Sequence, residues 1–165
     1  MLRLRMLLAV CLLVPLGVLS PTAAAATSPG YAVSGIELAA TSTQGTFAGS
    51  AQGSAGDHAI WKAVVQHQAL SSGCWTSGCA ISSGGSFSLL NGQLSTISGS
   101  FTGGSIKLIG QAPGCGLQQF DVTGNLTTSA GAGLFHVTLT HYRVQLFGSC
   151  VSYFATVSGN ASFGG

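Results

Sequence analysis

Short runs of alternating apolar and polar residues, cut by Gly or Ser/Gly/Asn clusters, fill this chain from residue 32 onward. Alternation with period two sends neighbours to opposite faces of a strand, and the glycine clusters mark the turns between strands. The pattern predicts strands over residues 32–39, 46–52, 86–90, 94–101, 105–110, 118–127, 134–147 and 151–163. The segment 58–70, HAIWKAVVQHQAL, fits two periods: a helical stripe through Ile60, Trp61, Val64, Val65 and Leu70, or a strand face of Trp61, Ala63, Val65, His67 and Ala69. Its paired valines and β-rich surroundings favour the strand, with a helix as the alternative.

The last two strands suggest the architecture. Val151, Tyr153, Ala155 and Val157 oppose Ser152, Thr156 and Ser158, with Phe154 as an exception, and Phe135, Val137, Leu139 and Phe147 share a face with His141, Arg143 and Gln145. Strands that are half polar cover a single core, which implies antiparallel sheets. Few lysines are available to block strand edges, and closing the sheet removes the edges altogether. The expected fold is therefore an all-β antiparallel β-barrel of about eight strands, with a β-sandwich as runner-up. The echoes GTFAG, GGSFSL, GSFTG and GGSIKL are unevenly spaced, which argues against a solenoid and for shared strand composition.

Residues 1–26 read as a secretory signal peptide: Arg3 and Arg5, an apolar run over residues 6–19 broken by Pro15 and Gly17, and a small-residue stretch ending at Ala26. That run is short of the roughly 20 residues a membrane-spanning helix needs, so no stable transmembrane anchor is expected. Val10 before Cys11 argues against a lipidated cysteine. Residues 27–165 then form a single all-β domain in which Lys62, Lys107 and Arg143 balance Glu37, Asp57 and Asp121. A formally neutral chain without a basic cluster is a poor partner for nucleic acid or an anionic membrane. With Cys11 removed, four cysteines remain, and export favours disulfides over a zinc site. The preferred pairs are Cys74 with Cys79, across CWTSGC, and Cys115 with Cys150.

The chemical inventory is small. No GxSxG elbow, HExxH segment or GxxxxGK loop is present, and neither cofactor nor metal is implied. Only three carboxylates remain for glycosidic chemistry, which makes a hydrolase a poor fit. Asp57 and His58 lie in GSAGDHA, read as an exposed turn. His136 and His141 differ in parity and face opposite ways, whereas His141 and Arg143 share a face. His141 and Arg143, joined by His67 and Glu37 from other strands, are the candidate catalytic or binding residues of a barrel pocket. An imidazole there could exchange a proton while the guanidinium held an oxyanion.

Two function classes follow, with an enzyme the less expected. One is a secreted or cell-surface structural, interaction or binding module for an extracellular small molecule, glycan or protein surface. The other is a small-molecule isomerase or carrier with an internal pocket containing His141 and Arg143. Asn125 and Asn160 match the glycan acceptor pattern and, if used, must face solvent.

Overall fold

The computed structural model describes residues 30–164, and the expected leader with Arg3, Arg5 and Cys11 lies outside them. The described residues form nine strands and one short helix: β1 Gly30–Ala40, β2 Gln44–Gly53, β3 His58–Gln66, α1 Ser72–Trp75, β4 Cys79–Ile81, β5 Gly84–Asn91, β6 Thr96–Gln111, β7 Gln118–Thr128, β8 Gly131–Leu146 and β9 Ser149–Phe163. Apart from β3–β5 and β4–β6, the antiparallel pairs join neighbours along the chain, and β9 returns to pair with β1 through Gly30↔Ser162 to Ile36↔Thr156. β4 pairs with the far half of β6, and Ile81 bridges His67, so β4 and β5 run end to end as one stave. The result is an eight-stave, up-and-down closed barrel rather than a sandwich.

Segment 58–66 is a strand because its inward face requires one. Trp61 lies across two neighbouring strands over the paired Gly35 and Gly49, and its indole N–H is shared by the carbonyls of Ser34 and Ser50, each at 3.0 Å. A Cβ on Gly35 would stand 2.9 Å from the indole ring. Small residues on β1 and β2 therefore make room for the largest side chain of β3.

The expected break between residues 101 and 105 is absent, since β6 runs unbroken with Thr102 and Ile109 as extra residues against β7. Gly103 and Gly104 resemble a turn in the sequence but serve as a bend within a strand. Gly104 has φ 143°, and a Cβ there would meet the backbone of Thr123 and Gly124. Bulges of this kind give a closed sheet its curvature.

Phe147 also departs from expectation. It is not the inward end of β8 but the first residue of the two-residue Phe147-Gly148 loop between Leu146 and Ser149, fully exposed with φ 48°. Beyond Tyr142 the β8–β9 hairpin projects past the core, and Tyr153 is an extra residue on β9. Val151, Tyr153 and Phe154 are consequently exposed, and burial on β9 follows the alternation only from Ala155 onward.

Five phenylalanines, Phe87, Phe101, Phe120, Phe135 and Phe163, are almost wholly buried inside the barrel. The Phe135 ring lies 5.6 Å from Trp61, 6.1 Å from Phe87 and 6.0 Å from Phe101. An eight-stranded barrel is just wide enough for side chains to fill it, and aromatic rings fill most of this one. Open interior space is left mainly at one end, where β1, β8 and the residue following β3 deliver polar side chains.

Candidate functional site

The inward face of β1 runs Tyr31, Val33, Gly35 and Glu37, so the alternation that builds the core carries a carboxylate into the barrel mouth. Leu38, the next residue, bulges against β2 and points to solvent. On β8 the series Phe135, Val137, Leu139 places His141 at the same level. Glu37 Oε2 and His141 Nε2 stand 3.1 Å apart, with only 12% and 15% of their side chains exposed. The carboxylate sits off the line of a hydrogen bond, so His141 Nε2 is buried without an in-line partner. The imidazole packs against the Phe120 ring at 5.5 Å, edge to face.

His67 continues the inward face of β3. Its backbone N–H donates to the Thr43 carbonyl at 2.9 Å, and its Nδ1 lies 2.8 Å from the Gln68 carbonyl. A carbonyl only accepts, so Nδ1 carries the hydrogen, and Nε2 of the neutral ring offers a lone pair. No described residue hydrogen-bonds that Nε2.

Glu37, His67 and His141 all line one cavity of about 120 Å³, whose remaining wall is mostly apolar: Phe47, Val65, Leu70, Ile106, Phe120, Val122 and Leu139. Gly45 on β2 leaves the space the carboxylate occupies. A Cβ there would stand 3.2 Å from Glu37 Oε1 and 2.6 Å from the Phe47 ring. Over the mouth, Leu70 and Trp75 pack against the core, with Trp75 edge-on to Phe120 at 6.2 Å. The Cys74–Cys79 disulfide ties this covering turn to the start of β4.

Arg143 is not brought into the cavity lining. It shares the inward parity of His141, but its Nε donates to the Gly116 carbonyl at 3.1 Å. The guanidinium thus acts beside the Cys115–Cys150 disulfide, and both fasten the β8–β9 hairpin to the β6–β7 connection. Both disulfides join the cysteines paired from sequence spacing.

The other titratable groups lie elsewhere. Asp57 is half-buried rather than fully exposed and accepts a hydrogen bond from the Tyr31 hydroxyl. Burial, then the Asp57 hydrogen bond and charge, push the Tyr31 phenol above its ordinary value of 10.0. His136 and Asp121 form an exterior pair at 2.7 Å. Asn125 and Asn160 both face outward. Among the described residues no three His, Cys, Asp or Glu side chains gather as metal ligands, and no helix is long and apolar enough to cross a membrane.

Sequence reasoning did not identify Gly45, Leu70, Ile106 or Phe120 as part of this site. The CWTSGC clip was the one available signal that the segment after β3 is pinned in place. Comparison with protein-family models, curated proteins and solved structures gives no match to this chain.

Proposed function

We propose that this protein is an exported binding module whose barrel mouth holds one small, largely apolar molecule. The observation that carries the reading is the 120 Å³ cavity, in which Glu37, His67 and His141 face a mostly apolar wall while aromatic rings fill most of the remaining barrel. Closed disulfides support export, since such bonds persist in oxidising compartments. Intact mass of the secreted protein should place its first residue at Ala26 or Thr27; a mass that retains Arg3 and Arg5 would contradict export by cleavage. For binding, toluene near ten times its dissociation constant should raise the unfolding temperature by about 5 °C. Val65→Phe fills the cavity and should abolish that rise, whereas an equal rise in the variant would place the toluene elsewhere.

A second reading, proton transfer by Glu37 and His141 on a bound carbonyl compound, is favoured by their 3.1 Å approach in an apolar site. Arg143, held on Gly116, would not supply the oxyanion contact. Deuterium incorporation from heavy water into cyclopentanone, catalysed by the protein and lost in Glu37→Gln, is the expected sign of that activity. Incorporation no faster than in buffer would reject it for this ketone class.

A further inference from the structure

We infer that the barrel mouth selects a compact molecule bearing one uncharged hydroxyl, a small phenol or alcohol, over its hydrocarbon and carboxylate counterparts. The inference rests on reading the mouth as a small-molecule site and adds the chemistry that site would recognise.

Size sets the body of the ligand. A closed apolar cavity of about 150 Å³ takes benzene. At about 120 Å³, this mouth suits a single ring or a short branched chain, with Phe47, Leu70 and Phe120 as its apolar contacts.

Polarity sets the head group. Glu37 is an acceptor when ionised, and His67, its Nδ1 hydrogen committed to the Gln68 carbonyl, presents Nε2 as a second acceptor. His141 Nε2 is buried without an in-line partner. A hydroxyl donates once and accepts as well, so a single oxygen can donate to Glu37 or His67 and accept from His141 when that nitrogen carries hydrogen. A hydrocarbon offers no hydrogen bond to His67 Nε2 or to the poorly aligned His141 Nε2, although Glu37 stays 3.1 Å from the latter. A carboxylate would be buried beside the carboxylate of Glu37, while Arg143, whose Nε donates to Gly116, lies outside the lining.

The test is a titration of the secreted protein with phenol, toluene and benzoate, followed through the amide resonances of Gly45 and Val65. Phenol should bind about tenfold more tightly than toluene, the factor one or two well-placed hydrogen bonds supply, and benzoate should not bind. In Glu37→Met the preference for phenol over toluene should fall severalfold, with continued toluene binding showing that the variant is folded. Equal affinities for phenol and toluene, or benzoate binding as well as phenol, would overturn hydroxyl selection while leaving the binding reading intact. Failure of all three to bind would overturn both, and the series on the unmodified protein decides this even if the variant does not fold.

Discussion

At the residue scale, several positions hold conformations that a substitution can probe. Phe147 carries a bulky side chain at φ 48°, a region costly for L-residues other than Gly, Asn and Asp. Phe147→Asn should therefore stabilise the protein by about 1 kcal/mol, read from the urea midpoint at unchanged slope. Gly45 is the reverse case: Gly45→Ala places a methyl group against the Phe47 ring and should cost about 1–3 kcal/mol through overpacking, with weaker toluene binding. Tyr31 connects burial to pH. Its folded-state value is raised, so the folded protein holds the phenolic proton more tightly than the unfolded chain. The associated stability is fully present below about pH 10 and is lost as pH rises through the folded value. Thermal unfolding across the alkaline range should show that fall, and Tyr31→Phe should flatten it. Parity placed His67 and His141 on the apolar faces of their strands, and the inward direction of Glu37 follows from the alternation of β1 in the structure. Nothing in the sequence showed that Gly45 leaves space for Glu37, because that contact crosses from β1 to β2 at a register set by the bulge at Leu38.

At the scale of elements, the two disulfides have different tasks. Cys74–Cys79 spans five positions and holds the turn over the mouth, whereas Cys115–Cys150 spans 35 and anchors the β8–β9 hairpin. Loop-closure entropy assigns about 2 kcal/mol to the first and about 4 kcal/mol to the second. Replacing Cys115 and Cys150 together by alanine should thus lower stability roughly twice as much as replacing Cys74 and Cys79, by urea unfolding. The shorter bridge should matter more for toluene affinity, because Leu70 and Trp75 lie in the segment it secures. Most strand positions were legible from alternation, including segment 58–66, where the opposing Gly35 and Gly49 accommodate Trp61, but the three-residue β4 was not. The merger of two expected strands into β6 was not legible, because Gly103-Gly104 has the composition of a turn and only the crowding of β7 shows it to be a bend.

At the scale of the whole molecule, closure through β1 and β9 leaves no open edge among the eight staves. Amide exchange tests this directly: the paired N–H groups of residues 31–35 and 157–161 should be about as protected as those at the centre of β7. Fast exchange confined to β1 and β9 would indicate an open sheet, and the projecting hairpin beyond Tyr142 should exchange faster than either. Phe135, touched by rings from β3, β5 and β6, joins the barrel walls, so Phe135→Ala should destabilise by about 3–5 kcal/mol. By itself the sequence determined most strand positions, most of the faces of their side chains and the cysteine spacing compatible with two bridges, because alternation and turn chemistry act over a few residues. Only the tertiary structure decided that Glu37, His67 and His141 meet at one cavity while Arg143, on the same face as His141, is held on Gly116. Their meeting depends on barrel curvature, register and bulges, which arise from contacts between residues far apart in the chain.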